Sequence, residues 1–464
     1  MTAYNSLARH ILAPTLDVLR GTHVVRYFRE LEASQWWSKE ELQELQSTRL
    51  REIVQHSYEH VPYYRQIMDT RGLKPSDVRR ATDLTNLPVL TKDLVRANLR
   101  RLVADNVPSR KLLLSRTGGS TGSPLAFYTT ADDWFSHGRA RGLIAMDWAD
   151  IHMGDRTVSF PAGFGLPTRK ERALRPLIQR LRRSREIDVK SISDDSLPDI
   201  IEAIRRIRPR ALIAYPTVLA LLAQYIKETD KAAPPVHAVL TGGEQMFPHQ
   251  RSLVRDVFGH EPFSRYGSHE NYLLGTECDQ HQGFHMFVQD LVVEVVDDSG
   301  MPLPSGQEGH VLVTNLHARG MPFIRYDTGD IASWVAESCS CGRSMPLLNN
   351  LVGRSCDVII TPSGKRVAGT AIGLSRMALL GVWRLQIVQE TLDSVHVRLV
   401  VRSDADDHEK EKVRAGVVSI LERSLGADMS IEVAFVDHIE PTPAGKHVPV
   451  VSRLSGRLQQ GHIA

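Results

Sequence analysis

The stretch SRTGGSTGSPLAFYTT, Ser115 to Thr130, sets three glycines and four hydroxyl side chains within the eight residues Thr117 to Pro124. Glycine lets backbone N–H groups come close to a ligand and Ser and Thr add donors, so the run is suited to cradling phosphate oxygens. A flexible turn would use similar residues. The run lacks the G-K-[ST] ending of a P-loop, which argues against a P-loop NTPase. LTGGEQM places Gly242, Gly243 and Glu244 behind an apolar run ending at Leu240, where a Gly-Gly backbone leaves room for a planar ring. SRYGSHEN offers the Tyr266 ring for stacking on a base, a small turn through Gly267 and Ser268, and the Glu270 carboxylate as a Mg2+ ligand. MPFIRYDTGDIA supplies Arg325, Asp327 and Asp330, the last a candidate acceptor for two sugar hydroxyls. PTPAGKHVP projects Lys446 from a Pro/Gly loop.

Such turns need elements to hold them. The first hundred residues read as helical, with Ser38 and Glu41 forming a capping box before Leu42, Leu45, Leu50, Ile53 and Val54. Pro62 in HVPYYRQ interrupts that pattern, and Thr91 in LPVLTKDLVRAN can cap the next helix. From about Ser115 short apolar runs alternate with helical patterns, as in RALIAYPTVLALLAQYI, HAVLTGGEQ, DLVVEVVD and GHVLVTNL. This predicts an α/β body whose strand ends carry the motifs. After LVGRSCDVII come strands WRLQIVQE and SVHVRLVVR, a helix from about Asp407 to Leu425 and a strand SIEVAFVD. The expected organisation is an N-terminal body over 1–355, helical over 1–100 and α/β over 101–355, and a small α+β domain over 356–464. The basic segment Arg169 to Glu186 has eight basic and two acidic residues. It reads as a solvated helix face interrupted by Pro176, or as a surface for an anionic partner.

Bulk properties bound the function. A chain of 464 residues exceeds what one core usually holds, and 42% hydrophobic with 24% charged residues is a globular composition. The net charge of +3 comes from 57 basic and 54 acidic residues, a balance that argues against a nucleic-acid binder. No apolar run reaches the ~18 residues of a membrane span, and the N-terminus lacks a clear signal-peptide core. A cytoplasmic location is expected. Four cysteines, Cys278, Cys339, Cys341 and Cys356, are too few for a disulfide scaffold. CDQH and CSCGR bring Cys278, His281, Cys339 and Cys341 together as ligands of the kind Zn2+ favours, with His285 an alternative to His281. Reduced, buried thiols are the other reading.

In sequence order, TGGSTGSP, GGE, YGSHE, RYDTGD, GRSCD and PAGK resemble the signature set of the adenylate-forming superfamily of acyl-CoA synthetases. VPYYRQ, LPVLTKDLV, ECDQHQGFH and MPFIRYDTGD are similar to its phenylacetate-CoA ligase and CapK-type branch, and the likeness runs from about Glu40 to the C-terminus. The resemblance implies that a carboxylate attacks the α-phosphate of Mg-ATP, and that coenzyme A then displaces AMP from the acyl-adenylate. Thr117, Ser120 and Thr121, with the amides of Gly118, Gly119 and Gly122, would hold the β- and γ-phosphates. Tyr266 and Gly267 would flank adenine beside Gly242, Gly243 and Glu244. Glu270 would bind Mg2+, Asp330 and Arg354 the ribose, and Lys446 would neutralise charge between carboxylate and α-phosphate. Phe164, Tyr215 and His269 are expected in the pocket of an aryl or arylalkyl acid. Some members of the branch carry a metal-binding Cys/His set in this region. Two departures stand out: Ser123 where many members have lysine, and Cys356 where the hinge aspartate usually lies. They keep two alternatives open, transfer to an amine or a carrier-protein thiol, and a non-catalytic nucleotide-binding protein. The resemblance is compatible with a homodimer.

Overall fold

In the computed structural model the Ser38 capping box opens the helix Lys39–His60. The Glu41 N–H donates to Ser38 Oγ at 3.2 Å and the Ser38 N–H to Glu41 Oε2 at 2.8 Å. Leu42, Leu50, Ile53 and Val54 on this helix are buried. The next helix, Pro62–Thr70, starts at the proline itself, because the first helical position needs no N–H partner. Thr91 caps Lys92–Ala97, its Oγ1 accepting from the Leu94 N–H at 3.3 Å. The structure describes residues 2–116, 125–161, 169–188, 196–349, 353–354, 358–364, 366–368, 372, 377, 380, 382, 384–401, 405–440 and 448–454, with backbone alone at 169–174, 353–354, 358, 366 and 368.

Strands β1 (Leu112–Arg116) and β2 (Ala126–Thr130) form an antiparallel hairpin on either side of the hydroxyl-rich run. The central strands follow: β3 (Thr157–Ser159), β4 (Ser184–Glu186), β5 (Ala211–Ala214), β6 (Ala238–Gly242), β7 (Phe263–Ser268), β8 (Tyr272–Thr276) and β9 (Phe284–Met286). Next come β10 (Leu291–Val296), β11 (Gly309–Asn315), β12 (Tyr326–Ala332), β13 (Leu347–Leu348) and β14 (Gly353–Arg354). An eight-stranded sheet has the order β13-β9-β8-β7-β6-β5-β3-β4, parallel from β4 to β7 and antiparallel beyond. Helices Leu197–Ile207, Pro216–Glu228 and Pro248–Phe258 pack on it through Ile201, Leu219, Leu222 and Val254 against Val158, Leu212 and Val239. Each such aliphatic side chain contributes about 1.5–3 kcal/mol by leaving water. A second, antiparallel sheet has the order β10-β11-β12-β14.

The C-terminal portion holds β15 (Val358–Ile360), β16 (Arg366–Ala368), β17 (Arg384–Thr391), β18 (Ser394–Val400), β19 (Ser430–Phe435) and β20 (Val450–Ser452). Its four-stranded sheet runs β19-β18-β17-β20, an antiparallel central hairpin with a parallel strand on each side. Helix Asp407–Leu425, capped by Asp406 through the Glu409 N–H at 2.7 Å, covers it with Val417 and Leu421 against Ile387, Val395 and Leu399. The architecture is a large mixed α/β body with a smaller α+β unit. The expected junction at 355–356 lies outside the described residues. Among the described residues, no helix is long and apolar enough to cross a membrane.

Candidate active site

Two reciprocal hydrogen bonds join the two sheets of the body. The Tyr266 hydroxyl on β7 donates to Asp330 Oδ2 on β12 at 2.8 Å, and the Tyr326 hydroxyl on β12 donates to Glu270 Oε1, just past β7, at 2.7 Å. Tyr326 and Asp330 lie on the same strand on either side of a bulge that includes Gly329, whose φ is +79°, and the motif reading passes over Tyr326. Burial, and then the neighbouring Glu270 charge, raise the Tyr326 phenol well above its ordinary range, so it stays a neutral donor. Asp330 pairs in register with Arg354 of β14, whose side chain lies outside the described residues. Gly242 and Gly267 are needed for close backbone approach. A Cβ on Gly242 would lie 2.7 Å from the Arg265 carbonyl oxygen, and one on Gly267 would collide with the Tyr272 carbonyl.

Beside Glu270 lies a small cleft whose walls include Asp133, Trp134 and Asn315. Burial pushes the Asp133 carboxyl up, although the Gly320 N–H donates to it. His269 ties the foot of the β1–β2 hairpin to this wall: its Nε2 lies 2.8 Å from Ser115 Oγ, and its carbonyl accepts from Trp134 Nε1 at 3.0 Å. Tyr215, buried at the end of β5, precedes helix Pro216–Glu228.

Several residues named from the sequence take other places. Glu244 accepts from the Thr217 N–H at 3.2 Å and Oγ1 at 2.6 Å, binding the first turn of Pro216–Glu228. Arg325 is buried against Glu294 and donates to the carbonyls of Leu87 (2.9 Å) and Gly300 (2.6 Å), so it braces the fold and is not open to a ligand. Asp327 Oδ1 accepts from the Gly329 N–H at 2.8 Å and shapes the turn before Asp330. Thr117, Gly118, Gly119, Ser120, Thr121, Gly122, Phe164 and Lys446 lie outside the described residues, as do Ser123 and Cys356.

Near β9 the structure replaces His281 with His285. Cys278 Sγ, His285, Cys339 Sγ and Cys341 Sγ lie within 4.8 Å of one another. His281 turns away, its Nδ1 3.0 Å from Glu277 Oε2 and its ring against Phe263. His285 Nδ1 faces the Met345 carbonyl at 3.3 Å, which leaves Nε2 as a lone pair 3.3 Å from Cys341 Sγ. Cys278 and Cys339 Sγ are 3.6 Å apart and unbridged. Burial raises both thiols in the absence of a cation.

Two family models match the chain: an AMP-binding enzyme model over residues 189–318 and a CapK C-terminal domain model over 359–453. The chain is similar to the phenylacetate-coenzyme A ligase of Thermus thermophilus, 28% identical over 86% of this chain and 87% of that protein. It is also similar to protein CapK of Staphylococcus aureus, 24% identical over 88% of each. Among solved structures, 2-hydroxyisobutyryl-CoA ligase in the postadenylation state superposes with a TM-score of 0.74 at 21% identity, covering 92% of this chain and 94% of that one. The same ligase in the thioesterification state gives 0.61. With the motifs in family order and both sheets in place, the chain is similar along most of its length to the adenylate-forming superfamily, on the acyl-CoA ligase branch that includes phenylacetate-CoA ligase and CapK homologues, and it shares the fold of the solved ligase.

Proposed function

We propose that this protein is an AMP-forming acid–thiol ligase. A carboxylate oxygen attacks the α-phosphorus of ATP, pyrophosphate leaves, and the thiol of coenzyme A then takes the acyl group as AMP departs. The observation that supports this most directly is the pair of cross-links Tyr266–Asp330 and Tyr326–Glu270, which hold the Asp330 and Glu270 carboxylates at a fixed separation. Asp330 would accept the ribose hydroxyls, the Tyr266 ring would flank adenine above the Gly242–Gly243 backbone, and Glu270 would bind Mg2+, whose charge offsets that of the phosphates. Ser120 and Thr121, with their neighbouring amides, would stabilise departing pyrophosphate as preorganised donors. By resemblance the acid is aryl or arylalkyl. ATP–pyrophosphate exchange across a panel of carboxylic acids tests the first step. Comparing AMP release with coenzyme A, amines and a carrier-protein thiol tests the second. Exchange with no acid would overturn the reading.

The Cys278–His285–Cys339–Cys341 set fits a closed structural Zn2+ site: three thiols and an imidazole whose free nitrogen faces the sulfurs. It would clasp β9 to the loop before β13. Protein purified without metal-affinity resin should contain about one zinc per chain. Cys339→Ser and His285→Ala should lose it and destabilise the fold, whereas His281→Ala should retain it. Metal-free wild-type protein would sink the idea.

A further inference from the structure

The hairpin of β1 and β2, which carries the hydroxyl-rich run, forms a two-stranded sheet of its own. Two strands alone are marginally stable in water, so side chains from the body must hold such a hairpin in place. At its open end Leu112 and Thr130 close on Gly320, where a Cβ would meet Thr130 Cγ2 at 2.8 Å and Leu112 Cδ2 at 3.4 Å. Phe127 holds its inner face, buried and edge-on to Phe323 with ring centroids 6.0 Å apart. Leu113 and Leu114 of β1 are exposed.

The loop end is gripped by His269. Ser115 and Phe127 oppose each other across the hairpin, one rung from its last described pair, Arg116 and Ala126. The His269 ring meets both of them: Nε2 lies 2.8 Å from Ser115 Oγ, and the ring stands edge-on to Phe127 with centroids 5.7 Å apart. Trp134 braces the imidazole, edge-on at 5.7 Å, while its Nε1 donates to the His269 carbonyl at 3.0 Å. The next residue is Glu270, whose carboxylate accepts from the Tyr326 hydroxyl at 2.7 Å. One side chain therefore joins the root of the hydroxyl loop, at Ser115 just ahead of Thr117, to the backbone that carries the proposed cation ligand. Donors and a cation can share one phosphate group only if they are fixed relative to each other, and fixed groups stabilise a leaving anion without reorganising first.

We propose that His269 is a positioning residue for the triphosphate of ATP: it seats the β1–β2 hairpin so that the loop hydroxyls and the Glu270 carboxylate address the same phosphates. It touches the hairpin rather than the acid, which moves it from the acid pocket to the phosphate end of the site. This role rests on the adenylation reading.

Calorimetric binding of Mg-ATP and of adenosine, which has no phosphates, tests it. His269→Leu should weaken ATP binding about tenfold or more, slow ATP–pyrophosphate exchange about 10²-fold and leave adenosine affinity within about twofold of wild type. His269→Gln, which keeps a polar group for Ser115 Oγ, should recover part of each loss. Ser115→Ala should reproduce much of it, and His269→Leu combined with Ser115→Ala should be little worse than His269→Leu alone. Because Ser115 is half-buried on an open hairpin, its variant carries the test should His269→Leu fail to fold. Equal losses for ATP and adenosine would make His269 a residue of the fold alone and overturn the proposal. So would simple addition of the two effects, unchanged ATP binding in both single variants, or a loss confined to KM for the acid, which would return His269 to the acid pocket. ATP binding that depends on His269 in a protein showing no exchange with any acid would uphold the hairpin seat and overturn adenylation. Acid-dependent exchange indifferent to both residues would uphold adenylation and overturn the seat.

Discussion

A Lys446→Ala variant should lose ATP–pyrophosphate exchange by about 10²-fold or more while its ATP affinity stays within a few-fold. In the role we propose for Lys446, two anions, the acid and the α-phosphate, must approach in a partly dry cleft, where a single ammonium offsets much of their repulsion. The groups proposed for adenine, ribose and Mg2+, namely Tyr266, Asp330 and Glu270, all belong to the body, so removing Lys446 leaves them in place. The chain just after Lys446 is well anchored. Gln386 Nε2 donates to the Val448 carbonyl at 3.3 Å, and Val450 to Ser452 pair in parallel with Ile387 to Gln389. Alanine should therefore remove charge without unseating the segment. Given a presynthesised acyl-adenylate, the variant should still transfer the acyl group to coenzyme A. Equal loss in both half-reactions would make Lys446 structural, and loss confined to transfer would reverse its assignment.

What the sequence revealed follows from how local each signal is. The Ser38–Glu41 box and the Thr91 cap each lie within four residues, and both form. The β17–β18 hairpin and the helix Asp407–Leu425 were legible for the same reason, since alternation and helical spacing are written in one short window. β20 was not, because three residues give no period and it exists by pairing with β17 from more than sixty positions away. Site chemistry divides similarly. Tyr266 and Asp330 could be chosen by type, but their mutual hydrogen bond and the Tyr326–Glu270 bond depend on how two sheets meet. His281 is nearer to Cys278 in sequence than His285 is, yet a positive φ of 50° turns it toward Glu277, while strand β9 carries His285 to the sulfurs. Arg325 has the composition of a ligand group, and only the fold shows Glu294 already occupying it.

Asp290→Asn should destabilise the fold by about 3–5 kcal/mol in chemical unfolding, because it strands a buried cation. Asp290 is 2% exposed and accepts from His317 Nε2 at 3.0 Å, with Arg141 Nη1 3.6 Å from its other oxygen and Arg49 Nη1 at 3.5 Å. Against the cost of burial, the His317 and His137 rings hold its carboxyl well below the usual range, so it is a carboxylate at neutral pH. Tyr27, His137 and His317 stack beside it with successive centroids 3.6 Å apart. Arg141 supplies a positive charge beside Asp290, so we read the set as a structural ion-pair network. It also reaches the active site, since Arg141 Nη2 donates to the Asn271 carbonyl at 2.8 Å, next to Glu270. Replacing both charges, Asp290→Leu with Arg141→Met, should recover much of the loss, and a double variant as weak as the summed singles would refute the ion-pair account. Burial pushes His317 down to about 4 despite the pull of Asp290, below its ordinary 6.5. Between those values the unfolded chain binds the proton and the folded chain does not, so stability is complete above about pH 6.5 and declines as pH falls toward 4. His56 and His249, also lowered by burial, add to the same slope. His317→Gln should begin from a lower stability but lose less of it on acidification, and an acid slope unchanged from wild type would assign the proton uptake to other histidines.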